Sequence, residues 1–272
     1  MPNKSAKERH AHMVSDPRRT PALLRTVAKA VKPSDTVIDI GTGLGILAIA
    51  AVKAGAKHVF AIETDKAALN VAKKNAKKAG AIENISFVNK LSFDVELPKR
   101  VDVILCETVG SCAFDENILA TLTDAKKRLL KRSGRIIPTK LELWGAPIGR
   151  MPKVDEVTYT AAVKKQDLLA KPVMLKAIDF SVHIPKSIHI KTKFTITTAG
   201  TAHAVALWPK AFWWGKEVSD ASPLAPITHW KQGILPLEPK SVLKGHNIDL
   251  ELIIGPHPDD PKTKTDMLWR WG

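Results

Sequence analysis

Cysteine is nearly absent: the 272 residues contain two, Cys106 and Cys112. One such pair builds neither a disulfide framework nor a cysteine-rich zinc site, so no metal centre is expected. No apolar run is long enough to span a bilayer, which excludes an expectation of membrane insertion. The first ten residues, Met1-Pro-Asn-Lys-Ser-Ala-Lys-Glu-Arg-His10, lack the apolar core of a secretion signal. A cytoplasmic protein is expected. No internal repeat or low-complexity linker interrupts the chain. Acidic residues are also short, 27 against 42 Lys+Arg, for a net charge of +15. Such a field attracts nucleic acid or an acidic protein surface. Runs such as Lys73-Lys74-Asn75-Ala76-Lys77-Lys78 equally decorate solvated helices, so charge alone names no partner.

What is present reads as globular. Hydrophobic residues make up 44%, enough for one large or two modest cores. Pro21 followed by Leu23, Leu24, Val27, Ala28 and Val31 predicts a helix over about Thr20–Ala30. Thr36–Ile40 reads as a strand, a glycine turn and a helix follow, and Val59–Glu63 reads as a second strand. The alternation continues with a helix over roughly Asp65–Ala79, strands at Ile85–Val88 and Val101–Cys106, a helix near Asn117–Leu130 and a strand at Arg135–Ile137. Pro138 stops it. Beyond Leu141 the texture changes to short alternating runs at 141–144, 188–191, 193–197, 204–208 and 249–254, predicting antiparallel β-structure. All seven tryptophans lie in this half. The expected fold is α/β: a Rossmann-like sheet with an N-terminal helical segment over 1–138, then an antiparallel β-barrel-like domain over 139–272 with a short insert around 150–187.

The turn after the first strand, Asp39-Ile-Gly41-Thr-Gly43-Leu-Gly45, brings backbone close to a ligand at a helix N-terminus. Glu63 ends the next strand, where an acid can accept both hydroxyls of a ribose. A dinucleotide fingerprint wants its last glycine at position 46, which is Ile here. The acid two residues before the first glycine and the early third glycine fit S-adenosylmethionine-dependent methyltransferases better than dehydrogenases.

A second constellation follows the Val101–Cys106 strand: Glu107-Thr-Val-Gly-Ser-Cys-Ala-Phe-Asp-Glu116. Two carboxylates on one short loop repel each other unless a cation lies between them. A planar guanidinium matches such a fork, with parallel N–H bonds to each acid.

With Thr228-His229-Trp230 in the β-half and Val95-Glu-Leu-Pro98 before the fourth strand, the chain resembles the protein arginine methyltransferase family. The resemblance implies that Glu107 and Glu116 grip a substrate guanidinium and that His229 pairs with Asp16 across the site. It places Met13 and Trp230 beside the substrate, and His10 and Arg19 at the cofactor's carboxylate. Asp39, Gly41, Gly43, Gly45, Glu63 and Ser92 would complete the S-adenosyl-L-methionine site. The implied reaction is methyl transfer to an arginine of a protein partner, with either Glu116 or the His229–Asp16 pair relaying the released proton.

Departures from the family pattern are several. Tyr159 is the only tyrosine, so the N-terminal tyrosines that close over the family's site are missing. Ile118 stands where a methionine is usual, and Ser92 where an acid is usual. The region of the family's dimerisation arm, between about Gly149 and Ile188, is short, which predicts a homodimer with a reduced or absent arm, or a monomer. Two other functions compete: methylation of RNA or a small metabolite, and a non-catalytic partner retaining the fold.

Overall fold

The computed structural model describes residues 13–155 and 159–272. The N-terminal half is built on helix α1 (Arg19–Ala30), strand β1 (Thr36–Ile40), α2 (Ile46–Lys53), β2 (His58–Ile62) and α3 (Lys66–Lys78). Then come β3 (Ile85–Val88), β4 (Val101–Cys106), α4 (Ile118–Arg128) and β5 (Leu130–Ile137). The strands pair in parallel in the order β3-β2-β1-β4-β5. Parallel strands are covered on both faces, and β1 and β4 show it: Val37, Ile38, Val103, Ile104 and Leu105 are fully buried. α1 buries Leu23, Val27 and Ala30 at helical spacing. α3 begins at Asp65, whose carboxylate accepts the Ala67 and Ala68 N–H groups.

The strand order reverses between β1 and β4. Their carboxyl ends therefore splay around an open crevice, the place where such sheets bind ligands. The Gly41 turn leaves β1 there, and Glu107 leaves β4 there.

The second half follows Pro138, which is joined to Ile137 by a cis peptide. Its strands are β6 (Lys140–Ile148), β7 (Thr160–Ala161), β8 (Val173–Asp179), β9 (Ile188–Thr195), β10 (Gly200–Phe212), β11 (Val218–Asp220), β12 (Gln232–Val242), β13 (Asn247–Pro256) and β14 (Thr265–Trp271). They form two antiparallel sheets, β7-β12-β10-β6-β8 with β11 on β10, and β14-β13-β9. The barrel-like half is thus made of two sheets whose apolar sides join one core that runs into the first half. The runs at 188–191 and 193–197 prove to be one strand, β9, followed by an isolated bridge at Ile196. β12 escapes the sequence pattern because Pro236 and Pro239 interrupt it. The sheet tolerates Pro236 opposite Ala204, beside a register shift on β10.

The segment between β6 and β8 carries no α-helix among its described residues. It folds back on its own domain: Leu169 donates its N–H to the Pro147 carbonyl and is buried, and β7 pairs with β12.

Candidate active site

The crevice between β1 and β4 is a cavity of about 520 Å³. Gly41, at φ 72°, lets the chain turn out of β1 into its floor; a Cβ there would meet the Thr108 methyl at 3.1 Å. Asp39, 1% exposed, accepts the Thr42 hydroxyl at 2.6 Å. Burial pushes its carboxyl up to about 6, against the Thr42 and Ala48 hydrogen bonds that favour the anion. Glu63, at the end of β2, lines the opposite wall; its carboxylate accepts the N–H of Gly43 at 2.9 Å and of Asp65 at 2.9 Å. Leu91 and Ser92 close that end. Gly45 is not on the wall. It starts α2 in the left-handed region, with Ala72 of α3 too close for any Cβ without adjustment.

At the other end of the cavity stand Met13, Arg19, Glu107 and Glu116. Arg19 ion-pairs with Glu107, each side chain about one-tenth exposed, and donates to the Met13 carbonyl at 3.4 Å. Its guanidinium carbon lies 6.0 Å from the Trp230 ring centroid. Burial lowers Arg19 to about 10, with Asp16 and Glu116 opposing, so it remains a cation at neutral pH. Its Nε is buried and has no partner among the described residues. Glu116 opens onto the cavity but is hemmed in by protein. Burial pushes its carboxyl up to about 7, the neighbouring Asp115 adds to the rise, and Arg19 draws it back. The fork is therefore asymmetric: Glu107 is paired with a resident guanidinium, whereas Glu116 is close to half-protonated at neutrality. Neither cysteine is a nucleophile here, because both thiols are buried and burial raises them.

Asp16, His229 and Trp230 stand behind this end rather than on the cavity wall. Asp16 accepts the His229 N–H at 2.8 Å and lies 3.0 Å from His229 Nδ1, while its other oxygen takes the Arg18 and Arg19 N–H groups. Burial raises its carboxyl, but the N–H donors of Arg19, His229 and Arg18 outweigh that and hold it near 2. Trp230 donates its indole N–H to the Val109 carbonyl at 2.6 Å, and its own carbonyl accepts the Ser111 hydroxyl at 2.6 Å. Gly233, just beyond, lies against Cys112 so closely that a Cβ would collide with the sulfur. The Thr-His-Trp segment thus braces both the 107–116 loop and the start of α1. His10 lies outside the described residues.

Three contributors carry no signal in the sequence. Asp115, beside Glu116, is raised to about 6 by burial and accepts the Cys112 N–H. Asn117, in the left-handed region at φ 59°, donates its N–H to Thr265 Oγ1 at 3.0 Å and its side-chain amide to the Lys262 carbonyl at 2.6 Å. Those partners belong to the β13–β14 hairpin, from which Lys262 and Thr263 reach the cavity wall. The 107–116 loop is consequently held from two sides by the β-half, at Trp230 and at the hairpin.

Comparison with known proteins matches this layout. The Ribosomal protein L11 methyltransferase (PrmA) family model matches residues 18–139, and the Arginine methyltransferase oligomerization subdomain model matches residues 139–271. A probable histone-arginine methyltransferase 1.4 of Arabidopsis thaliana is 29% identical over 232 residues, covering 72% of this chain and 44% of the relative. A probable protein arginine N-methyltransferase 3 of the same plant is 28% identical over 298 residues, covering 88% and 49%. The chain spans about half the length of these curated relatives. Among solved structures, the Trypanosoma brucei PRMT1 enzyme-prozyme heterotetrameric complex with AdoHcy superposes with a TM-score of 0.81 at 20% identity, covering 97% of this chain and 98% of that one. With a methyltransferase model over the first half, the arginine methyltransferase subdomain over the second and such relatives across both, the chain is similar along its length to the protein arginine methyltransferases.

Proposed function

We propose that this chain transfers the methyl group of S-adenosyl-L-methionine to a guanidinium nitrogen of a protein arginine. One observation carries the reading: the Glu107–Glu116 fork already has a guanidinium against it, that of Arg19. A site that holds this group in the resting chain has the charge and shape to hold another.

The cofactor fits the cavity by two tests. Arg19 reaches its wall with a buried, unpartnered Nε–H, an unspent donor of the kind a carboxylate satisfies. Gly41 and Gly43 take positive φ at its floor, leaving the backbone bare where a ligand approaches. On this reading Arg19 takes the amino-acid carboxylate, Glu63 the ribose hydroxyls, and Leu91 and Ser92 border the adenine. Bound there, S-adenosyl-L-methionine supplies an electrophilic methyl group on a sulfonium.

The chain's own work is then positioning and proton handling. Glu107, fixed at the end of β4 and braced by Arg19, orients one edge of the incoming guanidinium. Glu116 meets the other edge, and a cationic partner favours its ionised form. As the attacking nitrogen becomes methylated it must lose a proton. Glu116 is matched to accept it, since its resting carboxyl titrates near neutrality and it opens onto the cavity. Asp16, its carboxyl held at about 2, is an anion at neutral pH and makes a poor acceptor; with His229 it serves as a brace. The Trp230 ring supports the site from behind instead of contacting the substrate.

The segment read as a reduced arm packs on its own domain through Leu169 and β7, which supports assembly without a projecting helical arm. Labelled methyl transfer to an arginine-rich protein, to free arginine and to RNA tests the assignment. Transfer to the protein alone is expected. Transfer to RNA or to none of the three, with the cofactor bound, overturns it in favour of the RNA enzyme or the non-catalytic partner.

A further inference from the structure

The +15 charge plays no part in the proposed reaction, and much of it is spread over convex helix faces such as that of α3. One portion is concentrated in a concave place. A cavity of about 540 Å³ opens along β5, the edge strand of the parallel sheet, where the two halves of the chain meet. Arg100 precedes β4, Lys126 lies in the last turn of α4, and Lys131, Arg132 and Arg135 lie along β5; all five line it, with no carboxylate on the wall. Lys131 pairs with Asp102 at 2.7 Å and Arg135 with Asp35. Lys126 donates to the carbonyls of Phe180, Ser181 and Val182, and Arg100 to that of Leu130. Carbonyls fix these cations in place without cancelling their charge. Arg132 is exposed and makes no hydrogen bond or ion pair among the described residues. Five cations thus face two carboxylates, and a low-dielectric concavity focuses the surplus.

Trp214 completes the wall. Its neighbour Trp213 is fully buried and donates its indole N–H to Ser219 at 2.8 Å. Trp214, by contrast, is half-buried, and its indole N–H has no hydrogen-bond partner among the described residues. We propose that this cavity binds single-stranded nucleic acid, with a phosphate at Arg132 in the field of Lys126 and Arg100, and a base stacked on Trp214. Cations alone suit any polyanion, but an aromatic face beside them serves a base and offers nothing to an acidic side chain. The two cavities share no lining residue, so occupancy here leaves the candidate active site open.

Fluorescence anisotropy of the whole chain with a labelled single-stranded RNA of about ten nucleotides, titrated between about 50 and 200 mM salt, tests this. Arg132→Ala should weaken binding roughly fivefold or more and reduce the salt slope by about 0.7, whereas Lys77→Ala on α3 should change little. Trp214→Leu should weaken it roughly fivefold to a hundredfold without changing the slope, and Trp214→Phe, which keeps a π-face, should restore most of the loss. Equal losses from Arg132→Ala and Lys77→Ala would reduce the effect to the general field and overturn the site. Full affinity in folded Trp214→Leu would do the same, as would tight binding of poly-glutamate with none of RNA.

Discussion

The asymmetry between the two fork glutamates gives the sharpest test of the candidate site. Replacing either by Gln preserves shape and removes one charge. At Glu107 the loss strands Arg19, whose side chain is 12% exposed and whose Nε already lacks a partner. Breaking a buried ion pair costs about 3–5 kcal/mol, and Asp16, Glu116 and the Met13 carbonyl remain near Arg19 to soften it, so about 2–3 kcal/mol is expected. For a chain of this size that lowers Tm by roughly 4–10 °C. At Glu116 the change removes a carboxyl that burial and Asp115 already disfavour as an anion. Glu116→Gln should therefore hold Tm or raise it slightly. Its catalytic effect should be large, because the incoming guanidinium loses a charge-assisted partner worth about 2–5 kcal/mol, or roughly thirtyfold and more in kcat/KM. Scanning calorimetry and labelled transfer on the two variants separate the effects. Equal Tm losses would refute the asymmetry, and parent activity in Glu116→Gln would refute the fork itself.

Further outcomes follow from the same geometry. With Glu116 as the proposed proton acceptor, its ionised form is the competent one, so kcat/KM should fall tenfold per unit below about pH 7, and a pH profile of Glu116→Gln should lack that limb. Asp16 is held near 2 against an ordinary 3.8, a depressed carboxylate whose contribution, about 2 kcal/mol, is present above pH 4 and lost as pH falls toward 2; acid denaturation of Asp16→Asn should show that component missing. Glu63→Ala should weaken S-adenosyl-L-methionine by about 1.5–3 kcal/mol in calorimetry, since the Gly43 turn and the ribose both lose an acceptor. Deleting Val154–Leu175 should destabilise the fold itself, because Ala161, Val163, Leu169 and Ala170 are buried in it, and denaturation of the shortened chain would show this even where its sedimentation is unchanged.

The elements that were readable from sequence are those whose patterns are local. β1, β3 and β4 are short apolar runs bounded by turn residues, α1 and α3 have 3.6-residue periodicity, and each can be recognised without knowing its neighbours. β12 could not, since two prolines contradict its local preference and only pairing with β10 across a register shift makes it a strand. The same distinction divides the site. Glu107 and Glu116 announce themselves by their spacing on one loop, and Gly41, Gly43 and Glu63 by theirs on consecutive β-α units.

What determined the chemistry on offer was thus the sequence alone: a glycine turn, two acids a loop apart and a surplus of cations. Tertiary structure decided the rest, because contacts between residues distant in sequence leave no periodic trace. Only folding puts Arg19 on Glu107, so that one acid of the fork is braced and the other left to titrate. Folding alone sets Trp230 behind Val109 and the β13–β14 hairpin against Asn117. These placements depend on burial: a carboxyl moved from water into the crevice between β1 and β4 changes its protonation, and no residue letter records how much water it keeps.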